Sequence, residues 1–363
     1  MFAIQSDVAQ HVAQALQITL KPAETRQIAK AGTDDLEAYN AYLQGLYHYN
    51  TWSKEGLEKS VDYFEQAIAR DPDFAKAYTA MAFSYDLLAE YGYLPPGEAF
   101  PTMKDLARRA LEIDATTAEA YTAMALAAGY YDRDWLRADE AYRRALELNP
   151  NSLVTHDWYG VVFLGPMGRH EEAIAHSKRA KELDPLTAYV RVDLGWTYNH
   201  ARRWDDAIAE CKQIPDIDPE FYFTHWCLGF AYWQKGMLNE AVAAYERGVE
   251  LEPHDLGLKA DLAIVYAAAG KADQAQKILK EFEEKERREY VPPYALAMAH
   301  MAVGDLDDTF AWLKKMYEER SPVLIFMNEH ARYDRLRGDP RFQQLLRKIG
   351  FKELKFIPAA ASD

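Results

Sequence analysis

Two histidines come nearest to a metal-binding pattern. In His170-Glu-Glu-Ala-Ile-Ala-His176 they stand six residues apart, whereas a zinc-binding helix carries them at i and i+4 so that both rings leave one face. No metal ligand is expected there. A phosphate cradle of the G-x-x-x-x-G-K-S/T or G-x-G-x-x-G type is absent, as is the G-x-S-x-G turn that presents a nucleophilic serine. Cys211 and Cys227 have no second thiol or histidine at metal-ligand spacing. Each reads as a small apolar residue inside a helical pattern, and a disulfide stays open because consecutive helices pack together. Glutamates beside basic residues, such as Glu147 with Arg143 and Arg144, fit surface pairing better than acid-base work. The chain is expected to have no catalytic residue, no metal and no cofactor, which leaves recognition as its chemistry.

Bulk properties narrow the partner. A formal charge of -15 opposes direct nucleic-acid binding, which rests on Lys and Arg displacing counterions from phosphates. Residues 331–363 are mildly basic, with eight Lys/Arg against four Asp/Glu, and read as a solvated end. Arg335, Arg337 and Arg341 form a sharper alternative there, an anion site. No run approaches ~20 apolar residues, so no membrane span is expected. The opening Met1-Phe-Ala-Ile-Gln-Ser-Asp7 lacks a basic leader followed by a long apolar stretch, which makes the cytoplasm the default location.

The elements that must position any binding residues recur along the chain. Leu194-Gly195 with Tyr198, Ala207 and Pro219 returns as Leu228-Gly229 with Tyr232, Ala241, Tyr245 and Pro253. A second series, at Ala67, Ala110, Ala145, Ala180, Ile214, Gly248, Phe282 and Met316, is spaced by 43, 35, 35, 34, 34, 34 and 34 residues. Small residues at Gly45, Ala82, Ala125, Gly160, Gly195, Gly229, Ala263 and Ala297 mark where a first helix is crossed closely by its neighbour. Pro72, Pro150, Pro185, Pro219 and Pro253 stand where the chain must leave each second helix. About nine extra residues around Ala89–Gly97 separate the helices of the second unit; loops of that kind are where solenoids often place function, and the plainer reading is a tolerated insertion with a longer second helix, because loop length costs little. Residues 2–20 carry an amphipathic helical pattern, stopped at Lys21-Pro22, and a short helix over 23–31 ends near Gly32.

With this period and these residue types, residues 38–323 resemble tetratricopeptide repeat proteins of bacteria. The resemblance implies an all-α fold, a right-handed α-solenoid (superhelix) of about eight helix-turn-helix repeats with a C-terminal capping element. The division it implies is an N-terminal helical segment over 1–34, the superhelix over 35–323, and a capping helix and tail over 324–363. Leu336, Phe342, Leu345, Leu346 and Ile349 would cover the exposed end of the last helix pair. Phe2–Gln10, Ala38–Gly45, Phe64–Pro72 and Leu336–Phe342 also resemble the C-terminal half of bacterial signalling proteins. In those, a winged-helix activator, a nucleotide cyclase or a serine/threonine kinase precedes a TolB-like domain and a repeat array. The first helix would then be a remnant of the TolB-like domain, and the chain a truncated or stand-alone regulatory half.

In the repeat family one face of each first helix forms the concave wall. Matching positions here are Tyr189, Val192, Trp196, Asn199, His200, Phe223, Trp226, Phe230, Trp233 and Gln234. Large rigid rings with polar handles are the residues favoured at binding hot spots, although the same rings could pack on one another. Val192, Trp196, Trp226 and Phe230 stand where chaperone-binding relatives place the Lys and Asn that clamp a terminal carboxylate, so an apolar or aromatic peptide is the expected ligand. The functional expectation is a scaffold holding a protein or peptide in the concave groove. The alternative is a sensory or oligomerising module of an activator, cyclase or kinase, self-associating through its end helices.

Overall fold

The computed structural model describes residues 32–351; the N-terminal helical expectations and the residues after 351 lie outside that range. Among the described residues the regular structure is entirely helical. Eight hairpins follow in order. They are α1 (Leu36–Tyr49) with α2 (Lys54–Arg70), α3 (Ala75–Glu90) with α4 (Pro96–Ile113), and α5 (Ala118–Ala127) with α6 (Trp135–Leu148). Next come α7 (Leu153–Trp158) with α8 (His170–Leu183), and α9 (Ala188–His200) with α10 (Trp204–Cys211). The series ends with α11 (Phe223–Gln234) and α12 (Leu238–Leu251), α13 (Leu256–Ala268) and α14 (Ala272–Glu286), and α15 (Pro293–Val303) and α16 (Leu306–Glu318). Two 3-10 turns, Pro322–Met327 and Ala331–Leu336, lead to α17 (Pro340–Ile349). None of these helices is long and apolar enough to cross a membrane.

The repeat register explains the packing. All eight small residues of the first helices are buried. A Cβ added at Gly229 would lie 2.6 Å from the ring of Tyr245, and one at Gly195 would collide with the sulfurs of Cys211 and Cys227. First helices are apolar around most of their circumference because they touch helices on both sides. Second helices such as α4 and α6 bury only one stripe. Carboxylate and hydroxyl caps start several helices: Asp35 accepts from the Glu37 and Ala38 amides, Ser53 from Gly56, and Asp134 from Arg137. Buried hydroxyl pairs join successive units, with Ser60 to Ser84 at 2.8 Å, Thr122 to Thr155 at 2.7 Å and Ser177 to Thr197 at 2.8 Å.

Four features depart from expectation. The helix of the fifth unit stops at Cys211, and Ile214 falls in a 3-10 turn because Pro215 disfavours helix at the residue before it. Cys211 and Cys227, expected as small apolar residues, are joined by a disulfide between α10 and α11 with Cα atoms 6.8 Å apart. Such bonds are rare in the cytosol. The insertion in the second unit is not a surface loop: Tyr91 is buried, and Gly92 approaches Pro292 of the eighth unit so closely that a Cβ would lie 2.6 Å from its ring.

The fourth departure concerns the array as a whole. In a solenoid each hairpin contacts only its neighbours, yet here one apolar cluster runs from Tyr49 through Phe223 to Phe351. The hairpins curl until Trp52 of the first unit stacks on Tyr189 and meets Phe221 and Phe223 edge-on. The residues after α16 do more than cap the last hairpin. Arg341 pairs with Asp307 at 2.7 Å on α16, as a cap would, but the two 3-10 turns run across the inner face to reach α9, α11 and α13.

Gly229→Leu should lower stability by ~1–3 kcal/mol through overpacking against Tyr245. Gly97→Ala, where nothing lies within 4 Å of an added Cβ, serves as the control and should be near neutral. Equal urea midpoints for the two variants would contradict this register.

Candidate functional site

The inner face is built from the first helices, and their apolar faces meet the segment 322–336. His200 stacks on Phe326 at 5.4 Å and His330 packs against Phe230 at 4.4 Å and Trp196 at 6.0 Å. Arg332 pairs with Asp261 at 3.0 Å, with its guanidinium over the rings of Phe230 and Tyr294. Asp261 also accepts from Trp226 Nε1 at 2.7 Å and from the Tyr294 hydroxyl at 2.8 Å. That buried carboxylate is thus satisfied by three elements at once, as a buried charge must be.

Between these helices and the segment lies a cavity of about 110 Å³. Its rings come from Trp52, Tyr91, Trp158, Trp196, Phe223 and Trp226, and its carboxyls from Glu90, Asp193 and Asp255. The 3-10 segment closes one side with Val323, Phe326, His330 and Arg332. The insertion of the second unit supplies Glu90, Tyr91 and Gly92. A π-helical turn at Tyr159–Leu164 extends α7 and brings Val161 and Val162 to the wall.

Trp52 shows the construction most clearly. It occupies the left-handed turn position after a first helix, with φ of 53°. Gly168, Gly236, Gly270 and Gly304 fill that conformation after other first helices. For a bulky L-residue the left-handed region costs roughly 1–2 kcal/mol, here offset by burial of the indole among Tyr91, Tyr189, Phe221 and Phe223.

Electrostatically the lumen is acidic. Burial raises the Asp86, Asp157, Asp193 and Glu90 carboxyls above the ordinary range, and the charge of Asp193 adds to the shift at Asp157. Burial likewise lifts Asp255 to about 7, although its carboxylate accepts the Leu258 amide. The imidazoles move the opposite way: burial takes His330 down to about 3 and His200 well below its usual value, so both rings are neutral near pH 7. Among the described residues, Glu90, Asp193 and Asp255 have no Lys or Arg within ion-pair distance, whereas Asp261 has Arg332.

The structure brings some of the expected groove residues together and separates others. Trp196, His200, Phe223 and Trp226 line the cavity, and Phe230 lies beside it under His330. Tyr189 stacks on Trp52, while Asn199 donates to the Cys227 carbonyl at 3.3 Å. Trp233 packs edge-on against Phe230 and, like Gln234, is half-buried at the end of α11. Val192 is fully buried in the core. The three arginines offered as an anion site are spent internally: Arg335 on the Met301 carbonyl, Arg337 on Asp334 and the Asn328 carbonyl, and Arg341 on Asp307 and Asp339.

Sequence reasoning missed the carboxyls, Trp52 and the segment 322–336. The available signal was Asp157, Asp193 and Asp261 in first helices, each set between apolar or aromatic neighbours where a solvated face is impossible. It also missed His300, Asp305 and Asp308, whose ligand atoms lie within 4.8 Å of one another across the α15–α16 turn. There the His300 ring faces the Asp305 carboxylate at 3.6 Å. His156 and His176 also pair, with Nδ1 atoms 2.9 Å apart, in place of any pairing between His170 and His176.

Comparison with known proteins agrees with the repeat reading. Models of the tetratricopeptide repeat match residues 166–220 and 232–301. Superkiller protein 3 of Schizosaccharomyces pombe is 28% identical over 176 residues, which are 46% of this chain and 12% of that much longer protein. Among solved structures, yeast Tom70 is similar with a TM-score of 0.48 and 16% identity, over 87% of this chain and 68% of its own. PilW, a type IV pilus biogenesis factor, has a TM-score of 0.46 and 19% identity, over 61% of this chain and 96% of its own.

The raised carboxyls predict a pH dependence. A group with a folded pKa above its unfolded one contributes full stability below the unfolded value and loses it as pH rises through the folded one. For Asp255 that window runs from its ordinary 3.8 to about 7. Asp255→Asn keeps an oxygen to cap α13 and should flatten the decline of stability across that window. The readout is variant against parent in urea, because the neutral histidines add an opposite slope below about 6.5. Identical slopes would contradict the assignment.

Proposed function

We propose that this tetratricopeptide-repeat chain is a non-catalytic interaction module that holds a protein or peptide partner against the inner face of its helical array. One observation carries the reading: that face already accommodates an irregular peptide, the chain's own 322–336 segment, through ring stacking, cation–π contact and a buried ion pair. The chemistry it offers is aromatic and apolar. The partner is therefore an apolar or aromatic-bearing segment, and the accessible part of the expected groove for it is the rim at Trp233 and Gln234, with Tyr189, Trp196, Asn199, His200, Phe223, Trp226 and Phe230 as the wall behind. The net charge of -15 disfavours nucleic acid as a direct ligand.

The regulatory reading, in which the repeats sense a ligand for a larger activator, cyclase or kinase, is favoured by one separate observation, the lumenal cavity. Photo-crosslinking in the native cell tests the main reading. A crosslinker at Gln234 should capture one defined partner that a crosslinker at Glu147, exposed on α6, does not. Equal capture at both positions, or none at Gln234, would contradict it.

A further inference from the structure

Three acids with no Lys or Arg within ion-pair distance, in an aromatic cavity, are an unusual thing to build. A buried carboxylate without a partner is costly, and proteins normally pair it or leave it protonated. Asp193 and Asp255 are 5% and 1% exposed, and Glu90 is half-buried beside them. All three line the same cavity together with Tyr91, whose hydroxyl is pushed upward by its burial and then by these carboxyls. The one arginine lining the cavity, Arg332, is already neutralised by Asp261.

Polar hydrogens are unmet in the same place. Trp52 Nε1, Trp196 Nε1 and His200 Nδ1 have no hydrogen-bond partner among the described residues, and these side chains are 2%, 7% and 4% exposed. Indole N–H groups only donate, so they call for an acceptor atom. The carboxyls call for a positive charge, and the surrounding indole and phenyl faces favour the same sign.

We propose that this cavity is a binding site for a small organic amine: its ammonium met by Asp193 with Glu90 and Asp255, its apolar body held among Trp52, Trp196, Phe223 and Trp226, and an oxygen acceptor met by the indole N–H groups. At roughly 10–15 Å³ of such volume per water, the space corresponds to about ten non-hydrogen atoms. Aryl- or alkylamines bearing one hydroxyl or carbonyl have that size. The site stands apart from the rim at Trp233 and Gln234 and does not depend on a protein partner occupying it.

Tyramine, tyrosol and hydroxyphenylacetate share one body and differ in the charge of one terminus. They can be titrated into the full chain with indole fluorescence and calorimetry as readouts. Tyramine should bind at least about tenfold more tightly than the other two, the scale expected of a desolvated charge pair. Asp193→Asn should remove that preference while leaving tyrosol binding unchanged, and Glu90→Gln should reduce it. Neither variant breaks an ion pair, and each amide keeps an oxygen and the size of the parent side chain, so circular dichroism and the urea midpoint should show an intact fold. Trp196→Phe, which keeps a ring but loses the N–H, should weaken tyramine and tyrosol together. Tyrosol binding as tightly as tyramine, hydroxyphenylacetate binding most tightly, no binding by any of the three at millimolar concentration, or tyramine affinity untouched in a folded Asp193→Asn variant would each overturn the proposal.

Discussion

Everything in this molecule depends on how the inner face of the curled array is filled. Helical hairpins that lean on their neighbours bury their sides but leave a concave wall facing inward, and here that wall is apolar and aromatic. Water would solvate it poorly. The chain resolves the problem internally: Trp52 from the first unit, the insertion of the second and the 322–336 segment converge on α9, α11 and α13. The ion pair between Arg332 and Asp261 is the polar centre of that closure. Its carboxylate is also held by Trp226 and Tyr294, so it orders the segment without leaving an orphaned charge.

How much of this could be read from sequence follows from which constraints repeat. The close crossing at Gly195 or Gly229 recurs every unit because two backbones approach there, so periodicity exposes it, and the eight hairpins are legible as a result. The closure is different. Trp52 meets Phe223 across four intervening hairpins, and such a contact occurs once and has no period. Pro215 shows the same limit locally: a single residue shortened α10 inside an otherwise constant spacing. The candidate site was legible in part, since Trp196, His200, Phe223 and Trp226 were found from their repeat positions. Glu90, Asp193 and Asp255 were not, because acidic residues in helices ordinarily mark a solvated face. Only the apolar flanks of Asp193 set it apart.

The two proposed sites lie at different depths. Half-buried rings stand at the rim of the array, and an acidic aromatic chamber lies in the lumen. The closing segment and the array are physically linked, because Val323, Phe326, His330 and Arg332 of the segment line the same cavity as Asp193 and Trp196 of α9 and Trp52 of the turn after α1. A molecule lodged there touches both sides of the closure and would stabilise it by its own binding free energy.

The central claim is that residues 322–336 are a structural part of the inner face and not a loosely attached tail. Amide hydrogen exchange measures this directly. The His330 and Tyr333 amides, which donate to the Phe326 and His330 carbonyls, should exchange as slowly as the core of α11. Exchange at the rate of an unstructured chain, with α11 still protected, would contradict the account.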